Sequence, residues 1–525
     1  MSVSVDSPAQ KSAVIDVGSN SVRLVLYAIE GRAIWQVFNE KVLAGLGRDL
    51  STTGELSPPG VATALPALAR FSALIRANRP DRLFCVATAA VREASDGAAF
   101  ARRVREETGL EMRILSGPEE ARLSALGVMG GAPGSQGIAA DLGGGSLELA
   151  RLENGAPTKG VSLPLGPLRL TGRGRADLAL ARAEALRVLA GTERAYRAEA
   201  LNAVGGGWRN LALIHMKMTD YPLGIVHQYE MTRSQALDVA RFAMRQSRSS
   251  LERIEGISKR RVETLPHAAL VLETLIEHLK IERVVISAWG LREGLILEAM
   301  DPALRARDPL IEGCAALTAR QEFEGGAARE LAFALEAWLS APFARLPAAF
   351  GARDSALIAA ACELADLGIR LHPDHRADLV FDQVLRAPIA GMDHAERAFL
   401  ACAAFSRHSA RPETPEPQLV QRLLGPARLE RARALGAAVR LACELSGRIP
   451  ALLAHASLAI KPASVVLHIE GAWGPMLGGD QIERRAAQLA GRLGRGLKIR
   501  TGPAEAGAKA AAGRAAKRSK VFRAA

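Results

Sequence analysis

A nine-residue template that occurs twice constrains this chain more than any other feature of its sequence. The first copy consists of Asp16, Gly18, Ser21, Arg23 and Leu24, and the second, 125 positions later, of Asp141, Gly143, Ser146, Glu148 and Leu149. Each copy follows an apolar run, which predicts a strand, a glycine turn and a returning strand. The repeat indicates a duplicated α/β unit whose two turns face each other across a cleft.

The residue types at these turns predict an anion site. Glycine lets backbone N–H groups approach a phosphate closely, a serine hydroxyl adds a donor, and paired carboxylates can hold a divalent cation against phosphate oxygens. A single glycine-rich hairpin is more often only a tight turn. The second copy of the template makes the phosphate interpretation the better one.

Length and composition predict a large globular protein of three or four domains. The chain has 525 residues, of which 49% are apolar and only 4% aromatic. No secretory signal is recognisable at the N-terminus, and the longest charge-free run, Leu123 to Ala140, is broken by Gly, Pro, Ser and Gln. We therefore expect a cytoplasmic protein with no membrane partner.

The net charge of +13 is unevenly distributed. Residues 503–525 carry six Lys or Arg against Glu505 alone, a net +5 of the total, and their Ala- and Gly-rich composition predicts disorder. The remaining bias is compatible with a polyanionic substrate, and no specific nucleic acid partner is expected. Five widely spaced cysteines in apolar surroundings predict reduced, buried thiols rather than disulfides or a zinc site.

Two helix starts supply candidate catalytic residues. The strand Leu83 to Ala87 leads to Thr88, which is predicted to cap a helix carrying Arg92; a phosphate ligand and a surface arginine are equally compatible with this position. Ser116 and Glu119 match a capping box, which leaves Glu120 without a structural task. A carboxylate at the edge of an anion cleft suits a general base, the alternative being a solvated surface glutamate.

Two later segments repeat the order of strand, small residues and helix. Gly205, Gly206 and Gly207 follow one apolar strand, and Ser287 and Gly290 follow another, before a helix that carries Arg292 and Glu293. Either segment could approach a phosphate, or could need small residues only for packing. No P-loop is present, and no G-x-G-x-x-G follows a strand.

Five motifs in order, DVGSNSVRL, TAAVREA, SGPEEARLSALGV, DLGGGSLEL and GLREG, make the chain resemble the exopolyphosphatase/guanosine pentaphosphate phosphatase family. That family lies within the actin-like, sugar-kinase and Hsp70-like ATPase superfamily. The resemblance implies an α/β fold of two actin-like (ribonuclease-H-like) domains followed by a mainly α-helical, HD-like C-terminal domain.

The resemblance also implies roles for individual residues. Glu120 matches the catalytic base and Arg92 the phosphate-contacting arginine. The metal-binding carboxylates match Asp141 and Glu148. From the paired acids themselves we expect Mg²⁺ or Mn²⁺ as the cofactor, with Asp16 acting on it through water. The residues expected to bind phosphate are Ser19, Asn20, Ser21 and Arg23 on the first loop and Gly143, Gly144, Gly145 and Ser146 on the second. Gly207 departs from the family pattern, which usually has Ser or Thr at this position.

The predicted domain organisation follows from these motifs and from composition. The expected segments are a flexible N-terminus (1–12), actin-like domain I (13–130), actin-like domain II (131–300), the helical HD-like domain (310–455), a small α/β piece (456–500) and a basic tail (501–525). A metal centre in the HD-like domain is not expected, because Ala365 precedes Asp366 and His372, His375, His394 and His408 form no ligand pattern. We expect this domain to form a binding wall and the surface of a homodimer.

The function expected is release of terminal orthophosphate from inorganic polyphosphate by metal-assisted attack of water. The first alternative is a guanosine pentaphosphate 5′-phosphohydrolase, for which a nucleobase pocket is required and only Trp208 and Trp289 lie near turns. A non-catalytic polyanion-binding regulator would not need an unpaired acid among phosphates. A kinase would need an acceptor site that the sequence does not reveal.

Overall fold

The computed structural model describes residues 9–171, 178–257, 261–321 and 327–503. It divides into two compact units, which are treated separately: an N-terminal unit (Ala9–Glu30 with Ile34–Ala306) and a C-terminal unit (Arg307 onwards with Gly31–Ala33). Of the predicted flexible N-terminus, residues 1–8 lie outside the described residues, and so does nearly all of the predicted basic tail, from residue 504.

The N-terminal unit contains two sheets. The first has the strand order β3-β2-β1-β4-β5 and the second the order β10-β11-β9-β6-β7-β8. Around the first sheet the elements are β1 (Gln10–Val17), β2 (Val22–Glu30), β3 (Ala33–Val42), α1 (Leu50–Thr53), α2 (Pro58–Asn78), β4 (Arg82–Ala87), α3 (Ala89–Glu93), α4 (Gly97–Thr108) and β5 (Arg113–Ile114).

Helix α5 (Gly117–Gly131) leads from the first sheet to the second. The elements that follow are β6 (Gly137–Leu142), β7 (Leu147–Glu153), β8 (Ala156–Leu163), α6 (Pro167–Thr171), α7 (Leu178–Leu189), α8 (Glu193–Tyr196), β9 (Ala200–Val204), α9 (Gly206–Met218), β10 (Glu230–Thr232), α10 (Arg233–Arg245), α11 (Arg248–Glu252), α12 (Leu265–Leu279), β11 (Arg283–Ile286), α13 (Leu291–Glu298) and α14 (Pro302–Arg305).

The two copies of the template form equivalent hairpins. β1 and β2 pair antiparallel with Asp16 opposite Arg23, and β6 and β7 pair antiparallel with Asp141 opposite Glu148. In each hairpin the first strand also pairs in parallel with a later strand, β4 in one sheet and β9 in the other. The duplication expected from the sequence is therefore present in the backbone.

Helix α13 takes part in a core shared with the first sheet. Its buried residues Leu291, Leu295 and Ile296 belong to the same apolar cluster as Val14 and Val25 on the first hairpin. A helix placed by sequence at the end of domain II thus also packs against the strands of domain I. Its N-terminus is held where the two sheets meet, which is also where the template turns lie.

The core of the second sheet accounts for one of the two tryptophans near turns. Trp208, on α9, is fully buried and donates its indole N–H to the Ala268 carbonyl at 2.9 Å. α12 is buried on nearly its whole circumference, because it packs against α10, α7 and α9. Trp208 is therefore a packing residue.

The C-terminal unit is helical and ends in a small three-stranded sheet of order β12-β13-β14. Most of the predicted helical domain (310–455) is helical. The elements are α15 (Pro309–Ala319), α16 (Ala327–Phe343), α17 (Asp354–Glu363), α18 (Arg376–Arg386), α19 (His394–His408), α20 (Pro417–Ser446), α21 (Pro450–Leu453), β12 (Ala456–Ile460), β13 (Ser464–Glu470), α22 (Gly474–Leu477), α23 (Asp480–Arg492) and β14 (Gly496–Gly502).

Two ionisable side chains of the helical unit, Asp366 and His408, are hydrogen-bonded within the protein. Arg448 donates to the Asp366 carboxylate at 2.8 Å, and His408 Nε2 contacts the Leu367 carbonyl at 3.0 Å. Burial lowers the pKa of His408 to about 3, which keeps its ring neutral. Within the described ranges, no group of three or more His, Cys, Asp or Glu side chains could hold a metal ion.

Two further expectations concern cysteines and membrane spans. All five cysteines, Cys85, Cys314, Cys362, Cys402 and Cys443, are buried and unbridged, as predicted. Among the helices that the structure describes, none is long and apolar enough to cross a membrane.

Candidate active site

A pocket in the N-terminal unit is lined by the predicted site residues with two exceptions, Arg92 and Gly145. Its walls come from both template turns, the turn between β9 and α9, and the N-termini of α5 and α13. Predicted residues that line it are Asp16, Ser19, Asn20, Ser21, Arg23, Glu120, Asp141, Gly143, Gly144, Ser146 and Glu148. Gly145 lies between two of these lining residues.

The two template turns have the same backbone hydrogen bond and lie against each other. Gly18 N–H donates to the Ser21 carbonyl at 3.0 Å, and Gly143 N–H donates to the Ser146 carbonyl at 3.0 Å. A Cβ atom added to Gly145 would lie 2.8 Å from Ser19 Oγ, so glycine allows this approach without a shift of the serine side chain. The two turns therefore meet at one pocket, as the sequence predicted.

Glu120 is not the solvated acid considered as an alternative. Its residue is 7% exposed, and Arg92 Nη1 donates to its Oε2 at 2.7 Å. The same guanidinium nitrogen donates to the Leu115 carbonyl at 3.1 Å. Arg92, like Gly145, does not line the pocket; it contacts Glu120, which does.

The capping arguments made from sequence at both helix starts are wrong in their details. Ser116 occupies the N-cap of α5 but makes no capping hydrogen bond with its side chain, and Thr88 makes none at α3. Glu119 instead forms an ion pair with Arg113 at 3.2 Å, because its side chain turns outwards to β5. Glu120 lines the pocket, and its pairing with Arg92 cannot be recognised from the local sequence pattern.

Four carboxyl groups share the pocket, and the pKa of each is raised. Burial is the main cause for Asp16, Glu120, Asp141 and Glu148. The pKa of Glu120 is raised to about 7, despite the opposing effect of Arg92. Nearby negative charge adds to the effect, since Asp141 raises the pKa of Glu120 and both raise that of Glu148. A bound cation would therefore stabilise the ionised form of these four carboxyl groups.

The donors of the second hairpin fit a magnesium ion. Asp141 and Glu148 are opposite each other in register, so both side chains point to the same face of the sheet. Ser124 donates to Asp141 Oδ2 at 2.6 Å, and Ser162 donates to Glu148 Oε1 at 2.8 Å, which fixes both carboxylates. Mg²⁺ usually takes one or two protein carboxylates and completes its shell with water and phosphate oxygens.

The sequence analysis missed several cations that line the pocket. They are Lys41 on β3, Arg209 on α9, Arg261 before α12 and Arg292 on α13, which join the predicted Arg23. Arg292 was noticed on its helix but not assigned to the site. Only the glycine turn before Arg209 and the GLREG motif around Arg292 could have indicated these positions.

Burial and the proximity of other cations lower the pKa of two of these cations, Arg23 and Lys41. Burial, and then Arg292 and Arg209, lower the pKa of Arg23 to about 10. Burial, and then Arg261 and Arg23, lower that of Lys41 to about 7. Mutual repulsion of this kind favours binding of an anion with several negative charges.

The glycine turn between β9 and α9 forms part of the pocket wall but offers no side-chain hydroxyl. Gly205, Gly206 and Gly207 all line it. A Cβ added to Gly207 would lie 2.7 Å from the Ala268 Cβ, so a Ser or Thr side chain does not fit without a shift of α12. The departure from the family pattern at this position is thus matched by close packing against Ala268.

Comparison with known proteins identifies relatives of both parts of the chain. The profile of the Ppx/GppA phosphatase family matches residues 25–303, and the profile described as "Exopolyphosphatase, C-terminal" matches residues 318–499. Exopolyphosphatase 1 of Mycobacterium leprae is 31% identical over 302 residues, covering 55% of this chain and 89% of that protein. Exopolyphosphatase 2 of Mycobacterium tuberculosis is 25% identical over 310 residues, covering 54% of this chain and 97% of that protein.

A solved structure supports the fold of the N-terminal unit. The crystal structure of an exopolyphosphatase from Cytophaga hutchinsonii superposes with a TM-score of 0.52 at 22% identity, covering 55% of this chain and 97% of that chain. The mixed α/β architecture expected for the first part of the chain is confirmed, and the second part is mainly helical.

Proposed function

The chain belongs to the Ppx/GppA phosphatase family, and we propose that it releases terminal orthophosphate from inorganic polyphosphate by attack of water on the last phosphoanhydride bond. The relatives named above are exopolyphosphatases, which supports a phosphoanhydride hydrolase.

The observation that carries this proposal is the set of five cations lining one pocket beside two glycine turns. The lowered pKa values of Arg23, Lys41 and Arg209 follow from burial together with the proximity of other cations. A bound chain of phosphates would neutralise that repulsion, with backbone N–H groups of both turns available to the terminal phosphoryl group.

Glu120 is the group placed to act on the attacking water. Its carboxylate lines the pocket, and its pKa of about 7 suits a base that must accept a proton near neutral pH. In the proposed step, the water oxygen bonds to the terminal phosphorus and its proton passes to Glu120. The bond to the bridging oxygen breaks, and that oxygen leaves with the shortened chain.

Asp141 and Glu148 are the two carboxylates that would hold Mg²⁺, and Asp16 would act on it only through water. When bound, the ion would neutralise charge on the phosphoryl oxygens. Arg92 keeps the Glu120 carboxylate oriented through the 2.7 Å hydrogen bond and places a fixed positive charge behind it. Asp16 remains close to Arg292 and Arg23, which lower its pKa against the effect of burial.

The pocket lining favours polyphosphate over guanosine pentaphosphate. Among the described residues that line the pocket, none is aromatic, so no side chain there can stack on a guanine base. Trp208 is buried, and Trp289 packs against Gly131 instead of reaching the pocket. Binding of a polyphosphate chain requires only cationic side chains, and five of these line the pocket.

The test is a comparison of kcat/KM for long-chain polyphosphate and for guanosine pentaphosphate on the purified full-length protein with Mg²⁺. We expect polyphosphate to be the better substrate by at least about tenfold, the factor that corresponds to roughly 1.4 kcal/mol. A preference for the nucleotide would show that guanosine pentaphosphate is the substrate, and the proposed hydrolysis of the terminal phosphoanhydride bond would stand. Absence of phosphate release from both would refute the proposal in favour of a polyanion-binding regulator.

Three expectations about the rest of the protein stay predictions. We propose that the helical unit is HD-like without a metal centre, that the protein is a homodimer, and that it works in the cytoplasm. The predicted domain boundaries likewise stay predictions. Light scattering of the purified protein would test the dimer directly.

A further inference from the structure

Ser162 on β8 lies between the predicted base and the predicted metal carboxylates, although the sequence gives no sign of a role. Its hydroxyl donates to Glu148 Oε1 at 2.8 Å and accepts from Arg92 Nη2 at 3.2 Å. Arg92 in turn donates to Glu120. A continuous chain of hydrogen bonds therefore runs from Glu120 through Arg92 and Ser162 to Glu148.

Arg92 determines which group donates and which accepts in each of these hydrogen bonds. A guanidinium can only donate, so the serine oxygen must accept from Arg92. The single hydroxyl hydrogen is then available for the carboxylate of Glu148, which it reaches in good geometry. The hydroxyl thus satisfies both charged partners at once, which an apolar side chain cannot do.

The backbone around Ser162 also holds it in place. Ser162 is opposite Glu148 in the register of β7 and β8. On its other side, a Cβ added to Gly117 would lie 2.5 Å from the Ser162 Cβ, so the first residue of α5 packs directly on this serine. Since α5 carries Glu120 one turn later, Ser162 fixes the position of that helix relative to Glu148.

We propose that Ser162 is a positioning residue for the hydrolysis: it holds Arg92 and Glu148 in one fixed arrangement, so that Glu120 and the second hairpin act on the same phosphoryl group. This inference rests on the proposed function. Ser162 does not line the pocket, so it acts through Arg92 and Glu148 and not by touching substrate.

The first test compares Ser162→Ala and Ser162→Cys with wild type on long-chain polyphosphate. Loss of a hydroxyl bonded to charged groups should lower kcat by about 10- to 100-fold while KM changes by less than about threefold. Cysteine keeps the shape but is a weak hydrogen-bonding group, so it should resemble alanine. Thr158→Ala, an exposed position on the same strand, is the matched control and should leave both constants unchanged.

A double-mutant cycle separates positioning from a merely structural role. Lysine has no second nitrogen to donate to Ser162 while it donates to Glu120. In an Arg92→Lys background, adding Ser162→Ala should therefore reduce kcat by no more than about threefold. Equal effects of Ser162→Ala in both backgrounds would overturn the proposal, as would wild-type kcat in Ser162→Cys or a loss confined to Tm or KM. A wild-type protein that releases no phosphate would refute the proposed function instead.

Discussion

Arg92 Nη1 donates to Glu120 Oε2 at 2.7 Å, so the acid proposed as the base is held by a cation from a different helix. Arg92 lies on α3, after the first sheet's parallel strand β4, and Glu120 lies in the first turn of α5. The pair explains how a buried carboxylate can be kept in one orientation. It also excludes the alternative that Glu120 is a solvated surface acid.

Replacing Glu120 by glutamine should remove the base and keep the shape of the side chain. We expect Glu120→Gln to lower kcat on polyphosphate by about 10²- to 10⁴-fold, the usual contribution of a general base, with KM little changed. Phosphate release measured at saturating substrate checks this. The adjacent Glu119→Gln is the control, because Glu119 is half-exposed and pairs with Arg113; a larger loss there would reverse the assignment.

The pH dependence of the rate should report the raised pKa of Glu120. Burial moves this pKa from 4.5 to about 7, and a base works only when it is deprotonated. Hence kcat/KM should fall as the pH drops below about 7, with a slope of one. A rate that stays constant down to about pH 5 would show that another group, or no group, takes the proton.

The same shift predicts how stability changes with pH. The folded state of Glu120 has a pKa near 7 against 4.5 for the model group, so the protonated form is favoured by folding. Its stabilising contribution is complete below about pH 4.5 and is lost as the pH rises through about 7. Glutamine does not titrate, so its contribution to stability does not change with pH in this range. The Tm of Glu120→Gln minus that of wild type should therefore increase between pH 5 and 8 in metal-free buffer.

Metal binding can be measured without turnover. Burial raises the pKa of both Asp141 and Glu148, and the negative charge of Asp141 adds to the effect at Glu148, so a divalent cation would lower the cost of ionising this pair. We expect Mg²⁺ at 100 times its Kd to stabilise the folded protein by about 2.7 kcal/mol, visible as a higher Tm. The rise should disappear in Asp141→Asn. An equal rise in that variant would place the ion elsewhere, and undiminished activity in excess EDTA would remove it from the mechanism.

The sequence predicted what depends on contiguous residues. The equivalence of Asp16 and Asp141 follows from a repeated spacing, because one local pattern folds into one hairpin wherever it occurs. Lys41 and Arg261 could not be found in this way, since they come from elements far apart and meet only through tertiary packing. The prediction of a capping box at Ser116 was wrong for a related reason. The motif permits the hydrogen bond but does not require it, and Glu119 pairs with the neighbouring Arg113 instead.

Lys41 is the cation through which the polyanion proposal can be tested most directly. It lines the pocket, and burial together with Arg261, Arg23 and Arg209 lowers its pKa to about 7. A bound phosphate chain should restore its charge and gain a charge-assisted contact, which is worth roughly 1.5–3 kcal/mol. Lys41→Met should therefore raise KM for long-chain polyphosphate by about tenfold or more and change kcat less.

Salt dependence distinguishes lost contact from altered shape. Each lost cation–phosphate contact should reduce the slope of log KM against log salt by roughly 0.7, the value known for single-stranded nucleic acid. Lys217→Met is the matched control, because Lys217 is exposed on α9 and pairs only with Glu255 at 3.0 Å among the described residues. Its KM and slope should equal those of wild type. If both variants behave alike, the charge at Lys41 does not contact the phosphate chain, and the cation set loses its part in substrate binding.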